Sequence, residues 1–257
     1  ELQILETMAL NLIHHQTVIA SKAARITGVA GGRPLMDFGL RRAHGPDGGL
    51  YASRASYIAG FSSTSNVEAG RVFGIPVAGT MAHSYILVFA SEEEAFRSYI
   101  RSFPDQPTLL IDTYDTLEGA RTAIRLATEG LPVGAVRIDS GDIPPVVRSV
   151  RTLLDENGLR RIRIVVSGGV DEWDVQRWDR EGVPIDAYGI GTRLLTSADI
   201  PYLEMTYKLV EYEGIPRHKT SAGKVSIPGR RTVSRRYHDG IMDQDIIISE
   251  GEWCTGE

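Results

Sequence analysis

The sequence contains a single cysteine, Cys254, among 257 residues. An internal disulfide is therefore impossible, which fits a reducing cytoplasm. No secretory hydrophobic region opens the chain, and its longest apolar stretch, Ile75 to Ala90, is interrupted by Pro76, Gly79 and His83. Such a stretch is too short to cross a bilayer, so we expect a soluble, cytoplasmic protein with no membrane partner.

Basic residues are not in excess. The 28 Lys and Arg are outnumbered by 33 Asp and Glu, which gives a formal net charge of −5 and argues against a nucleic-acid partner. Hydrophobic residues make up 42% of the chain, enough for a full core, and α/β barrels often reach this length as one domain.

The two ends of the chain carry no boundary signals. The first residue is Glu1 rather than Met, and helical spacing is already under way at Leu2, Leu5 and Ala9. The last residues, 252–257, stop without a capping or turn signal. We therefore expect that the chain begins inside a longer protein and that material is missing at both ends.

Residues 2–28 contain no proline and are rich in helix-forming residues, which predicts one long helix. We assign residues 1–32 to a helical lead-in, the remnant of a truncated N-terminal domain. From Leu35 onward a unit of strand, polar loop and helix repeats. The predicted strands are 35–40, 58–62, 76–80, 108–112, 133–138, 162–167 and 185–190. The predicted helices lie near 50–57, 66–73, 91–102, 116–129, 144–157 and 171–181.

Alternation of strands and helices predicts an α/β protein with a parallel sheet. An open doubly wound sheet and a barrel both satisfy the pattern. Polar residues after nearly every strand favour an irregular (β/α) barrel of about seven parallel strands, spanning residues 33–200 as the catalytic domain. Alternating polarity from Tyr207 to Tyr212 and later turn residues predict a β-rich C-terminal segment over 201–257, whose Lys and Arg more often form a solvated face than a phosphate site.

In a parallel barrel the carboxyl ends of all strands share one edge, so residues distant in sequence meet there. After the first strand, Phe38 precedes Arg41 and Arg42. A ring for stacking beside guanidinium groups suits a flat anion, although core packing and ion pairing explain these residues equally well. The next strand ends in a run of hydroxyls containing Ser65, followed by Asn66, a helix cap.

His83 follows Gly79-Thr80, and Asp112 ends the fourth predicted strand. A lone histidine is more often structural than reactive, so its role depends on its neighbours. Asp112 has the chemistry to orient an imidazole or a metal-bound water. After the fifth strand, Arg137, Asp139 and Asp142 surround a small turn, and such acids suit ribose hydroxyls and Mg²⁺.

Glycines follow the last two strands, where backbone N–H groups can approach an anion closely and where barrels usually bind phosphate. The predicted phosphate-binding residues are Ser167, Gly168, Gly169, Gly189, Gly191 and Thr192. With the preceding strand ends, they predict a site for a phosphorylated sugar and a flat ring.

Several motifs, in this order, resemble nicotinate phosphoribosyltransferase, a family of type II phosphoribosyltransferases. They are the helix Leu5 to Arg25, Phe38-Gly-Leu-Arg-Arg-Ala-His-Gly-Pro-Asp-Gly-Gly, Gly79-Thr-Met-Ala-His-Ser, Asp112-Thr-Tyr, Arg137-Ile-Asp-Ser-Gly-Asp, Ser167-Gly-Gly and Gly189-Ile-Gly-Thr. The resemblance covers most of the chain and implies an irregular barrel.

The resemblance implies that nicotinate and phosphoribosyl pyrophosphate are joined with release of pyrophosphate, a step of NAD biosynthesis. It also implies ATP as a co-substrate, hydrolysed through a phosphohistidine at His83. Nicotinate would lie near Thr80 and Arg137 with Phe38 stacked on its ring, and the sugar phosphate near the glycines. Asp139 and Asp112 would be catalytic, and Mg²⁺ would lie near Asp142.

Family members carry an earlier segment whose aromatic residue closes over nicotinate, typically across a dimer interface. The resemblance therefore implies a homodimer with a shared active site, and a chain that begins after this segment would bind substrates poorly. The alternatives are a nicotinamide-specific enzyme, a quinolinate enzyme and a silent barrel that only binds a phosphorylated ligand. Amide-using relatives place a carboxylate near the position of Ser65, whereas serine tolerates a carboxylate substrate.

Overall fold

The computed structural model describes residues 1–105, 107–223 and 225–251. Its helices are α1 (Leu2–Val29), α2 (Gly45–Ile58), α3 (Val67–Phe73), α4 (His83–Ile86), α5 (Glu92–Ser102), α6 (Thr116–Thr128), α7 (Ile143–Glu156), α8 (Glu172–Arg180) and α9 (Thr192–Leu195), with a short 3-10 helix at Leu40–Arg42. Its strands are β1 (Leu35–Asp37), β2 (Ser63–Thr64), β3 (Thr108–Leu110), β4 (Ala135–Ile138), β5 (Arg163–Val166), β6 (Ala187–Ile190), β7 (Glu211–Tyr212), β8 (Ile215–Pro216), β9 (Arg231–His238) and β10 (Ile241–Ser249).

The chain divides into two compact units, Asn11–Leu203 and the combination of Glu1–Leu10 with Glu204–Glu257. No helix within the described residues combines the length and apolar character needed to span a bilayer. The predicted long first helix is confirmed and ends at Val29. Cys254 and the last residues of the predicted C-terminal segment lie outside the described residues.

Strands β1 to β6 form one parallel sheet in the order β2-β1-β6-β5-β4-β3. The α/β class and the parallel sheet are therefore confirmed. Strands β4 and β6 are buried along their whole length, which explains why they are almost entirely apolar in sequence. Because the last strand returns to pair with the first, the carboxyl ends of β1, β6, β5 and β4 lie side by side.

The prediction of about seven strands is not confirmed. Helix α2 continues through Ile58, and no residue of the predicted strand 58–62 forms a strand; the two-residue strand β2 follows it at Ser63–Thr64. The predicted strand 76–80 makes a single parallel bridge between Val77 and Thr64. Pro76 has no N–H to donate, and Gly79 has little preference for strands, so the pairing does not extend.

Side-chain caps set the starts of several helices. Asn66 accepts from the N–H of Ala69 at 3.2 Å, as predicted. Ser91 caps α5 by accepting from the N–H of Glu94 at 3.2 Å, and Asp115 caps α6. Asp171 forms a reciprocal capping box with Asp174 at the start of α8. These caps fix where each helix begins after a strand, and therefore where the polar loops lie.

A buried ion-pair network joins α1 to the region around α8. Lys22 is only 2% exposed, and its Nζ lies 2.6 Å from Glu172 and 2.8 Å from Asp199. Arg25 contacts the same two carboxylates at 2.8 and 2.5 Å. Lys22 and Glu172 are buried, whereas Arg25 and Asp199 are each 38% exposed, so a single buried ion pair with two outer partners ties α1 to the start of α8.

The C-terminal unit contains two antiparallel hairpins, β7-β8 and β9-β10, in agreement with the predicted β-rich segment. Arg235 pairs with Asp245 across the longer hairpin through two hydrogen bonds of 2.8 and 2.9 Å. Both residues lie on a solvent-accessible face of the hairpin, as expected for the basic tract.

Candidate functional site

A cavity of about 480 Å³ opens at the carboxyl end of the parallel sheet. Most of the predicted site residues line it: Phe38, Arg41, Ser65, Thr80, His83, Arg137, Asp139, Ser167, Gly168, Gly169, Gly189, Gly191 and Thr192. The sheet order explains this meeting, since these residues follow neighbouring strands. Two predicted residues, Asp112 and Asp142, are not among the lining residues.

An aromatic ring and a buried cation form one wall of the cavity. The guanidinium carbon of Arg137 lies 5.8 Å from the centre of the Phe38 ring, and Nη1 of Arg137 donates to the hydroxyl of Thr80. Arg137 is 9% exposed, and its Nε has no hydrogen-bond partner among the described residues. Burial lowers the pKa of this guanidinium, while Asp139 and Asp112 oppose that shift. A guanidinium on the cavity lining, beside a ring, suits a planar carboxylate.

Phe38 owes its position to a glycine on the neighbouring strand. A Cβ atom at Gly189 would lie 2.5 Å from the Phe38 ring, so only glycine leaves room for the ring there. The backbone N–H of Phe38 also donates to the carbonyl of Ile190 at 2.9 Å. Gly189 therefore serves ring placement, in addition to any role in phosphate binding.

His83 begins the four-residue helix α4 and faces two carboxylates. Its Nε2 lies 3.8 Å from Oδ1 of Asp112 and 3.9 Å from Oδ2 of Asp139. Its Nδ1 lies 3.1 Å from the hydroxyl oxygen of Thr113. Both carboxylates lie beyond hydrogen-bond distance of Nε2, whereas the Thr113 hydroxyl is within reach of Nδ1 and can donate to it or accept from it, depending on which nitrogen carries the proton.

Asp112 lies behind this imidazole. Its Oδ2 accepts from the N–H of Asp139 at 2.9 Å and from the hydroxyl of Ser140 at 2.8 Å. Its Oδ1 is buried and has no hydrogen-bond partner within the described part of the chain. Asp112 thus supports the loop after β4 with one oxygen and faces His83 with the other.

The glycine loops after β5 and β6 form the opposite wall. A Cβ atom at Gly168, where φ is +86°, would lie 1.7 Å from the carbonyl oxygen of Asp139. The hydroxyl of Ser167 donates to Oδ1 of Asp139 at 2.5 Å. Arg42 adds a donor to this wall by bonding the hydroxyl of Thr192 at 2.8 Å. Close backbone approach beside a cationic side chain suits a phosphate group.

Asp142 is an exposed residue before α7, and it makes no side-chain cap there. The residues described by the structure contain no group of three or more His, Cys, Asp or Glu that could hold a metal ion. The described residues therefore offer no set of three protein ligands for the Mg²⁺ predicted near Asp142. Mg²⁺ often binds through one or two carboxylates together with substrate phosphates, and Asp139 at the cavity fits that mode.

Sequence reasoning gave no role to three residues that contact the site. Thr113 bonds His83, Asp37 anchors the loop of Phe38, and Glu92 lies close enough to Asp112 to interact with its charge. Thr113 stands inside the motif Asp112-Thr-Tyr, and Asp37 directly precedes the motif that begins at Phe38, which were the available signals. Glu92 stands within a run of acids at a helix start and had no such signal.

Glu92 gives the site a pH-dependent group. Burial, with smaller contributions from Asp112 and Asp115, raises the pKa of Glu92 from 4.5 to about 7. Because the folded pKa is the higher one, the protonated carboxyl favours folding. This contribution is present below pH 4.5 and is lost as the pH rises through about 7.

Glu92→Gln is therefore expected to match the wild type in stability at pH 4.5 and to exceed it by about 1–2 kcal/mol at pH 8, after discounting for solvent screening. Urea unfolding at both pH values measures the difference. Glu94→Gln, an exposed change in the same helical turn, is the control and should leave the pH dependence as it is. Parallel pH profiles for Glu92→Gln and wild type would contradict the assignment.

Comparison with known proteins confirms the resemblance drawn from the motifs. The chain is 45% identical over 260 residues to nicotinate phosphoribosyltransferase pncB2 of Mycobacterium tuberculosis, covering 100% of this chain and 56% of that protein. It is 40% identical over 265 residues to the nicotinate phosphoribosyltransferase of Bacillus subtilis, covering 99% of this chain and 53% of that protein. No protein-family model matches the chain.

Solved structures agree in fold. Human nicotinic acid phosphoribosyltransferase superimposes with a TM-score of 0.75 at 30% identity, over 98% of this chain and 59% of that one. Nicotinate-nucleotide pyrophosphorylase from Pyrococcus furiosus superimposes with a TM-score of 0.81 at 27% identity, over 96% of this chain and 61% of that one. The chain is thus homologous to these proteins along its length and spans somewhat more than half of theirs.

Proposed function

We propose that this chain, a homologue of nicotinate phosphoribosyltransferases, carries the catalytic site of such an enzyme. The reaction joins nicotinate to phosphoribosyl pyrophosphate, forms nicotinate mononucleotide and releases pyrophosphate, with ATP hydrolysis coupled through His83. The observation that carries the proposal is one cavity that combines a stacking ring and buried arginine, a glycine cradle, and an imidazole facing two carboxylates.

Nicotinate would bind between Phe38 and Arg137. Its carboxylate would accept from the guanidinium of Arg137, which lines the cavity and also donates to the hydroxyl of Thr80. Ser65, also on the lining, carries no charge and does not repel a carboxylate. This wall favours nicotinate over nicotinamide, because an amide offers no charge to Arg137.

The sugar phosphate would occupy the glycine wall with Arg41 and Arg42 beside it. Loss of pyrophosphate leaves positive charge on the ribose ring, and the carboxylate of Asp139 at the cavity would stabilise that charge. We assign Mg²⁺ to the phosphate oxygens of the substrates, where it would neutralise the leaving group, with Asp139 as the available carboxylate.

ATP would react at His83. Its Nδ1 lone pair attacks the γ-phosphorus, the bond from that phosphorus to the bridging oxygen breaks, and ADP leaves. The imidazole of the phosphohistidine keeps its proton on Nε2, which faces Asp112 and Asp139. Hydrolysis of the phosphoryl group returns His83 to its resting state. Thr113, now bonded to Nδ1, is close enough to donate to the phosphoryl oxygens.

A homodimer with a shared active site and a cytoplasmic location complete the proposal. The support for them is the family resemblance and, for the location, the single cysteine.

The test is an assay of the purified protein with phosphoribosyl pyrophosphate and, in turn, nicotinate, nicotinamide or quinolinate, each with and without ATP. The expected result is nicotinate mononucleotide and pyrophosphate, with ATP hydrolysed alongside. Preferred turnover of nicotinamide or quinolinate would replace the substrate assignment. Binding of phosphoribosyl pyrophosphate by calorimetry without turnover of any acceptor would identify a silent binder instead.

Arg137→Ala is expected to raise the KM for nicotinate by about 30-fold to about 4,000-fold, the equivalent of losing a desolvated charge pair worth about 2–5 kcal/mol. The KM for phosphoribosyl pyrophosphate should change much less. Steady-state kinetics with each substrate varied separately measures both. Arg163→Ala is the matched control, because Arg163 is exposed at the opposite end of the same sheet. Equal effects on both substrates would remove Arg137 from the nicotinate site.

A further inference from the structure

Asp37, the last residue of β1, is a buried acid without a cationic partner. It is 1% exposed, and no Lys, Arg or His in the described ranges lies within ion-pair distance of it. Burying a carboxylate is costly unless hydrogen bonds replace its water. Neutral donors from three segments of the chain supply those bonds.

The donors come from the loop after β1, from α2 and from β2. The N–H of Gly39 donates to Oδ1 at 2.8 Å. The hydroxyls of Ser53 in α2 and Thr64 in β2 donate to Oδ2 at 2.7 and 2.8 Å. The carbonyl oxygen of Asp37 also accepts from the N–H of Ser65 at 2.8 Å.

These bonds fix the backbone next to two cavity residues. Gly39 follows Phe38 directly, so the bond from its N–H fixes the direction in which the backbone leaves Phe38. Ser65 is held through its own N–H and through its neighbour Thr64. Within the described residues, the glycine loop that follows β5 makes no hydrogen bond to Asp37.

We propose that Asp37 is a positioning residue that sets Phe38 and Ser65 against the pyridine ring, and so determines the affinity for the aromatic substrate. The inference rests on the proposed function and assigns this residue a part in it. Asp37 has no access to the substrate and acts through the residues that it holds. A negative charge serves here because a carboxylate accepts from several donors at once, whereas an amide oxygen offers one weaker acceptor.

A purely structural role for Asp37 predicts a different pattern. Its loss would then lower stability and the fraction of active protein, and would affect both substrates alike. A positioning role predicts a larger change for nicotinate than for phosphoribosyl pyrophosphate. Phe38 and Ser65 adjoin the bonds of Asp37 directly, whereas Arg41 and Arg42 lie further along the loop and, in the described part of the chain, the glycines after β5 make no bond to it.

The test compares Asp37→Asn with Ser53→Ala, which removes one donor on α2 and leaves Gly39 and Thr64 in place. For Asp37→Asn we expect the KM for nicotinate to rise about 10-fold, the scale of one lost charge-assisted hydrogen bond, with less than about a 2-fold change for phosphoribosyl pyrophosphate. Ser53→Ala should lower the melting temperature and leave the ratio of the two KM values unchanged.

Thr64→Val provides a second variant should Asp37→Asn fail to fold, because it nearly keeps the shape of the side chain and removes the donor to Asp37 next to Ser65, together with the acceptor of the Asn66 N–H. Its KM for nicotinate should rise about 3-fold, with that for the sugar substrate unchanged. Unchanged KM ratios in the folded variants, with lower stability, would overturn the role of Asp37 while wild-type turnover of nicotinate stands. A wild type that neither binds nor converts nicotinate would overturn both proposals.

Discussion

His83→Ala is expected to abolish ATP hydrolysis while slow, ATP-independent formation of nicotinate mononucleotide continues. The bond changes at ribose require no histidine, so the loss falls on the coupled reaction. The side chains around this position are two carboxylates and a hydroxyl, so removal of the imidazole leaves no ring nitrogen to accept the phosphoryl group. The expected loss of ATPase activity is at least about 1,000-fold, as for removal of a covalent nucleophile.

The measurement uses ATP labelled at the γ-phosphate. Wild-type protein should acquire an acid-labile, base-stable phosphoryl label, and phosphorus NMR of the denatured protein should assign it to Nδ1. His238→Ala is the matched control, because His238 is 85% exposed on the C-terminal hairpin and should leave labelling intact. Label on a protein that lacks His83, or equal loss of both activities with lower stability, would return His83 to a structural role.

Gly168→Ala is expected to produce the largest loss of stability among single changes in the cavity wall, together with weaker binding of the sugar substrate. The new Cβ atom would overlap the carbonyl oxygen of Asp139 at 1.7 Å, and this oxygen belongs to the backbone, which cannot rotate away as a side chain can. The loops after β4 and β5 would have to separate. We expect a stability loss of about 3–5 kcal/mol and a rise in the KM for phosphoribosyl pyrophosphate of at least about 10-fold.

Gly169→Ala is the matched control for this prediction. Gly169 also has a positive φ, +73°, but a Cβ atom there would meet nothing within 4 Å. Gly169→Ala should therefore lower the free energy of unfolding only by the strain of an alanine at positive φ, about 1–2 kcal/mol. Urea unfolding and kinetics with the sugar substrate varied give both quantities. Equal losses for the two variants would show that conformational strain, and not loop contact, explains the glycine at position 168.

The helices were the most predictable part of the fold because their ends carry local signals. Asn66 caps α3 as predicted, and α5, α6 and α7 lie within a few residues of their predicted bounds. The strands after α2 and α3 were less predictable. The sequence 58–62 is apolar and aromatic enough for a strand, yet Ile58 finishes a helix that began at Gly45. Packing of α2, rather than local preference, decides that boundary.

The cavity could be predicted because parallel strands bring their carboxyl ends together, whichever residues lie between them. The position of Asp142 could not be predicted in this way. Gly141, at a φ of +90°, turns the chain so that Asp139 stays at the cavity and Asp142 leaves it. The bonds of Asp37 were equally hidden, since its side-chain donors lie 16 and 27 residues away.

The residues of the cavity come from separate parts of the chain according to their task. Phe38 and Ser65 follow β1 and β2, the phosphate glycines follow β5 and β6, and His83 stands on its own helical turn. Selection can therefore act on the choice of aromatic substrate through the first two loops while His83, the residue proposed to couple ATP hydrolysis, stays unaltered. Two features cross this division. Arg42 follows Phe38 on one loop and bonds Thr192 of the phosphate wall. Arg137 contacts Phe38 and Thr80 at once, so any change in the chemistry of the aromatic substrate has to retain or replace it.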